Sequence, residues 1–230
     1  MTDRPAFSGF TKETVKFFNG IKRHNTRDWF AANRATYDGH VLAPAQAFVV
    51  AMGERLRAVV PHIVAVPQIN KSIFRLNRDT RFSSDPSPYK TNLGIYFWEG
   101  PRSRMESPGF YFNLEPPDLM IGGGAYMFPD FMMSRFRRAA VDAKLGKELG
   151  KIVADIKALP EFYVGGEHYK RVPAGYDAGH PNAELLKHNG LYAGSETKIP
   201  DELFSVRLLD YCFERFEKLL PLHKWLMKLT

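Results

Sequence analysis

The densest chemistry in the sequence lies between residues 71 and 104. Lys71, Arg75, Arg78, Arg81, Lys90, Arg102 and Arg104 stand there against Asp79, Asp85 and Glu99, a local excess of four positive charges in a chain whose total is +7. Planar guanidinium forks match phosphate and carboxylate oxygens, and a neighbouring tyrosine can stack or donate its hydroxyl. The expected ligand is a phosphorylated or otherwise anionic small molecule. Arg75, Arg78, Arg81 and Lys90 would bind the charge, Asp79 would hold one guanidinium in a bidentate pair, and Tyr89 would position the ligand. Pro86 and Pro88 stiffen the turn that delivers Tyr89 and Lys90. The same pattern also suits a solvated face on which Arg–Asp pairs only tie structure together. In a strand, Arg75 and Asn77 would share one face and Phe74, Leu76 and Arg78 the other, so convergence on one pocket needs a bend.

Two further clusters carry candidate chemistry. Gly122-Gly123-Gly124 follows an apolar run, and its backbone could approach a ligand closely or form an anion-binding nest; a strained turn is the competing reading. No Gly-Lys-Ser/Thr follows, so it is not a phosphate-binding P-loop, and a dinucleotide fingerprint is absent. Residues 168–190 hold Lys170 and Arg171 as further anion ligands, and Tyr176, Asp177, His180, Glu184 and His188 as groups that could converge. His180 is the candidate proton-transfer residue because imidazole titrates near neutrality; ordering a turn and helix start before Pro181 is its other role. Asp177, His180 and Glu184 match no strong metal signature, so neither metal nor cofactor is expected. Cys212, between Tyr211 and Phe213, reads as a buried, inert thiol.

The elements that must position these groups follow from periodicity. Thr11 caps a helix with Val15, Phe17, Phe18 and Ile21 on one stripe. Thr26 caps a second, burying Trp29, Phe30 and Tyr37, and a third runs from about Pro44 to Val60, with proline in its first turn. A strand is expected over 69–76. Residues 92–98 and 110–115 alternate, setting Leu93, Ile95 and Phe97 against Asn92, Gly94, Tyr96 and Trp98, and Phe110, Phe112 and Leu114 against Tyr111, Asn113 and Glu115; they read as an antiparallel hairpin. A strand at about 118–122 should end in the glycine triplet. Helices at about 130–141 and 142–158, strands near 161–164 and 168–172, a short helix near 183–188, a strand at 190–198 and a closing helix after Pro200 complete the chain. That order is α+β: N-terminal helices, a mostly antiparallel central sheet and C-terminal helices packed on it, in a single domain over 1–230.

Composition agrees. With 44% hydrophobic and 25% charged residues, disordered and fibrous classes are excluded. One cysteine rules out an internal disulfide framework. No run of 18 apolar residues exists and the first residues lack the apolar core of a signal peptide, so a cytoplasmic protein without membrane partners is expected. No feature speaks to oligomeric state.

The chain resembles the family catalogued as domain of unknown function 2461, conserved hypothetical proteins of bacteria and fungi. The resemblance rests on Asn25-Thr26-Arg27-Asp28-Trp29-Phe30 with Asn33 and Tyr37, and on Phe74-Arg75 through Arg78-Asp79-Thr80-Arg81-Phe82 to Pro88-Tyr89-Lys90-Thr91. The glycine triplet, Lys170-Arg171-Val172-Pro173, Gly175-Tyr176, His180-Pro181 and Leu185-Leu186-Lys187 extend it. Two positions depart: Pro86 stands where the family usually has Lys, and Gly179 where an acidic residue is common. The resemblance implies recurring motif positions and brings no reaction, so whether the protein is an enzyme stays open. Beside the anion reading stand two others. Nucleic-acid association is motivated by a pI near 9.4 and by basic residues interleaved with Phe74, Phe82, Tyr89, Tyr96 and Trp98. The last is a scaffold or interaction protein.

Overall fold

A computed structural model of the chain describes residues 6–81 and 85–230; Phe82 and the first five residues lie outside them. The order is α+β, as the periodicity predicts. Helices α1 (Lys12–Arg23), α2 (Arg27–Ala32), α3 (Arg34–Tyr37) and α4 (Ala43–Arg57) come first. Strands β1 (Ile63–Val64), β2 (Leu93–Glu99), β3 (Gly109–Glu115) and β4 (Asp118–Ala125) follow, then α5 (Asp130–Val141), α6 (Leu145–Lys157), β5 (Tyr163–Glu167), β6 (His188–Lys198) and α7 (Leu208–Met227). The strands form one antiparallel sheet in the order β1-β2-β3-β4-β6-β5. Contacts gather the chain into two compact units, described in turn.

The first unit comprises Met1–Phe97, Tyr111–Ile121 and Glu196–Glu214. Thr11 opens α1, its N–H donating to Thr14 Oγ1 at 3.1 Å, while the fully buried Thr14 hydroxyl donates to the His40 carbonyl at 2.5 Å. Thr26 caps α2 by accepting from the Trp29 N–H. Asn33 marks the junction between α2 and α3, its side-chain amide donating to the Trp29 carbonyl at 2.8 Å alongside its own backbone N–H at 3.1 Å. A π-helical turn, Asp38–Leu42, leads into α4 with Pro44 in its first turn. The rings of Phe10 and Phe48 lie on Phe112 at 5.8 and 5.0 Å, and Phe48 also meets Phe97 at 6.3 Å. Helix α4 and the segment before α1 therefore cover the face of β2 and β3 that carries Phe97 and Phe112.

The expected strand over 69–76 is not a regular strand. Asn70 sits at φ 64° and turns the chain, with its N–H donating to the Ile73 carbonyl. Beyond the turn, Phe74 N–H donates to Gly94 O, Lys90 N–H to Leu76 O and Arg78 N–H to Pro88 O. Residues 72–78 thus run antiparallel to 88–96 as a hairpin held by isolated bridges, with residues 79–81 and 85–87 at its tip. Its base is clamped: the Asn25 amide donates to the Tyr89 carbonyl at 2.9 Å and accepts from the Tyr89 N–H at 3.0 Å.

The second unit comprises Trp98–Phe110, Gly122–Ser195 and Arg215–Thr230. Here β5 pairs with β6 and is bulged between Gly165 and Glu167. The strand expected at 168–172 is absent. His168 and Tyr169 both donate their N–H groups to one carbonyl, Lys187 O, a bulge-like pairing at which the β5 ladder ends. The glycine triplet does not follow β4 but lies inside it, buried. A Cβ on Gly123 would stand 3.2 Å from the Phe110 ring and 3.4 Å from Leu219, and one on Gly124 (φ +127°) would run into the Leu191 carbonyl, so close packing requires these glycines. The closing helix starts at Leu208 rather than after Pro200; a short 3-10 turn, Asp201–Phe204, precedes it, and Val206 stays exposed. Within α7, His223 is fully buried against Phe110, its Nε2 2.8 Å from Glu99 Oε2.

Two stability predictions follow from these contacts. Asn25→Ala strips both hydrogen bonds from the buried Tyr89 backbone and should cost about 1–3 kcal/mol, a fall of roughly 2–12 °C in Tm by thermal melting. His223 is held below its ordinary pKa of 6.5 by burial, with Glu99 opposing part of that shift and Lys224 adding to it. The unfolded chain therefore gains a proton near pH 6.5 that the folded chain resists, and stability falls as pH drops below that value. His223→Gln should flatten the pH dependence of the unfolding free energy, measured by denaturant melts between pH 7.5 and 5.5, by up to about 1 kcal/mol per pH unit; superimposable profiles would contradict the assignment.

Candidate functional site

At the hairpin tip the arginines are paired. Asp79 accepts from Arg81 Nε and Nη2 at 2.9 and 2.7 Å, the bidentate pair its position suggests, and the Arg81 guanidinium and backbone N–H hold its carboxyl down to about 2. Arg78 pairs with Asp85, whose carboxyl is kept below the usual range by Ser87 first and Arg78 second. The tip thus presents ion pairs, and Arg75 stands exposed on the adjoining strand-like segment. Tyr89 is not beside them in solvent. It is buried, its ring 4.6 Å from Phe30, because the Asn25 clamp turns it inward. Alternation then sends Lys90 the other way, its Nζ 5.3 Å from the Phe74 ring centre.

From Phe74 the contacts continue across the face of β2 and β3 opposite to the phenylalanines. Phe74 meets the Tyr111 ring edge-on at 6.0 Å, and Tyr111 meets Tyr96 at 6.4 Å. A Cβ on Gly94 would lie 2.8 Å from Tyr111 Oη and 3.2 Å from Phe74 Cδ2, so glycine makes room for both rings. Asn113 Oδ1 accepts from Asn92 Nδ2 at 2.5 Å and Tyr111 Oη at 3.2 Å, and Glu115 Oε1 accepts the Thr91 hydroxyl at 2.8 Å. Asn113 and Glu115 open onto a small cleft of about 130 Å³ lined also by Lys22, Pro116, Pro117, Asp118, Met120 and Glu196. Burial, and then the Glu115 charge, push the Tyr111 hydroxyl up to about 12, and burial pushes Tyr96 higher still. At neutral pH both phenols are protonated hydrogen-bonding groups rather than bases. These residues form a site the charge pattern missed. Tyr111, Asn113 and Glu115 are the polar half of an alternating strand, but nothing local marks them as a site.

In the second unit, Lys170 and Arg171 are exposed and the glycine triplet is inside β4. His180 Nδ1 accepts the Asn182 N–H at 3.0 Å, which commits that lone pair to starting the short helical turn Ala183–Lys187. Buried Asn182 in turn donates to the Ala140 and Gly146 carbonyls at 2.8 and 2.7 Å. His180 thus fits the turn-ordering role rather than that of a base acting through Nδ1. Asp177 accepts the Gly179 N–H at 2.8 Å. Cys212 is buried. Among the described residues, no three His, Cys, Asp or Glu side chains are placed to hold a metal ion, and no helix is long and apolar enough to cross a membrane.

Fold and site together define an α+β protein with a polar cleft lined by Asn113, Glu115, Asp118 and Glu196. The model of the conserved hypothetical protein family DUF2461 matches residues 13–225, and the chain belongs to that family. None of the curated proteins matches it.

The ion pairs of the tip are solvent-facing, and such pairs contribute little to stability. Arg78→Ala should therefore lower stability by at most about 1 kcal/mol, a shift of no more than roughly 4 °C in thermal melting. A larger loss would make this pair a structural determinant of the hairpin.

Proposed function

We propose that the protein binds a phosphorylated or otherwise anionic small molecule at the corner where Lys90, Phe74 and Tyr111 meet. The observation that supports this is the unbroken run of contacts from the Lys90 ammonium over the Phe74 ring to the Tyr111 ring and hydroxyl. A cation attracts the charged group and a ring face packs against the ligand body, while the Tyr111 hydroxyl, its proton given to Asn113, keeps a lone pair that can accept from a ligand hydroxyl. Arg75, exposed on the adjoining segment, adds to a positive field that favours anion approach. Nucleic-acid association draws on other residues, the exposed Tyr126 and its partner Tyr192 at 5.4 Å, a pair on which bases could stack. Cytoplasmic residence is proposed with the ligand reading, since a single buried thiol asks nothing of an oxidising compartment.

The test is titration calorimetry with inorganic phosphate and pyrophosphate. Lys90→Met should raise Kd at least about tenfold, or about 1.4 kcal/mol, with Tm shifted by less than 4 °C. Binding unaffected by this substitution would remove the corner from consideration. Preference for oligonucleotides, fading steeply with salt, would transfer the assignment to the nucleic-acid reading.

A further inference from the structure

We infer that the body of this ligand is hydroxyl-rich, a sugar or polyol phosphate whose hydroxyls enter the cleft beside Tyr111. The inference rests on the anion-binding reading above and deepens it. Asn113 joins the two places, bonded to Tyr111 and lining the cleft. Its Oδ1 is taken by two donors, and among the described residues its Nδ2 protons meet no acceptor, so it presents the cleft with donors alone. Glu115 does the reverse: Oε1 holds the Thr91 hydroxyl and Oε2 is an acceptor. Exposed Lys22 adds a donor and exposed Glu196 an acceptor, while Met120 is apolar. A hydroxyl donates one proton and accepts through its lone pairs, so vicinal hydroxyls satisfy intermixed donors and acceptors of this kind.

Charge orients the ligand. Glu115, Asp118 and Glu196 outnumber Lys22 in the cleft, and Asp118 is paired with Lys198 at 2.7 Å. A phosphate is repelled from that acidic lining and attracted to Lys90. The neutral, hydroxylated part is what the cleft accepts. An alkyl phosphate would leave the Asn113 and Glu115 polar groups without partners, and sites built to hydrogen-bond a hydroxyl discriminate against analogues that lack it.

The experiment compares inorganic phosphate, n-propyl phosphate, glucose 6-phosphate and ribose 5-phosphate by titration calorimetry on the full chain. At least one sugar phosphate should bind tenfold or more tightly than propyl phosphate. Asn113→Ala, and separately the near-isosteric Glu115→Gln, should bring that ratio below about threefold, with cooperative melting of each variant confirming its fold. Equal affinity for propyl phosphate and both sugar phosphates overturns the inference and leaves the anion reading standing. A sugar preference that survives both substitutions also overturns it, since the hydroxyls would then be read elsewhere. If no phosphate binds at all, the anion reading falls and this inference with it.

Discussion

The pleat of a β-strand gives each residue one of two faces, and in β3 that constraint decides both stability and chemistry. Phe110, Phe112 and Leu114 are fully buried, so Tyr111, Asn113 and Glu115 must project from the opposite side. β2 repeats the division, with Phe97 against the helix-borne Phe48 and Tyr96 near Tyr111. A one-residue slip of either strand would exchange aromatic core for polar site. The ring contacts of Phe10 and Phe48 on Phe112 hold the register that also places Tyr111 beside Phe74.

The basic hairpin depends on the same logic one step further out. Its tip is too polar to bury, so it is anchored at its base, where Asn25 supplies the backbone of Tyr89 with both donor and acceptor. That anchor puts Tyr89 against Phe30 and, by alternation, puts Lys90 over Phe74. The arginines beyond it are shared out among Asp79 and Asp85. The paired charges order a turn, and the cation carried to the polar cluster is the lysine next to the buried tyrosine.

Local signals were legible wherever local physics decides. Thr11 and Thr26 start helices, Pro44 sits in a first turn, and strict alternation marks β3. They failed where a distant partner decides. Apolar residues at 69, 73, 74 and 76 read as a strand, but a turn at Asn70 and pairing to residues far along the chain leave only isolated bridges. Three glycines after an apolar run read as a loop, yet the closeness of Phe110, Leu219 and the Leu191 carbonyl makes them the residues that let β4 stay a strand. Tyr89 read as a ligand contact because it sits among arginines; its inward turn depends on Asn25, 64 residues away. The cleft was invisible for the same reason, since Asn92 and Asn113 meet only once the hairpin has paired.

The electrostatics of the polar cluster set the kind of event it supports. A phenol raised to about 12 or beyond gives up no proton at neutral pH, and both tyrosines reach that state by being removed from water. In such surroundings a neutral hydrogen bond strengthens and an unmatched polar group becomes costly. Asn113, with its oxygen saturated by Asn92 and Tyr111, cannot rotate its amide to suit an acceptor-poor ligand without breaking both bonds. Under the ligand binding proposed above, this cluster would discriminate by hydrogen-bond pattern rather than exchange protons.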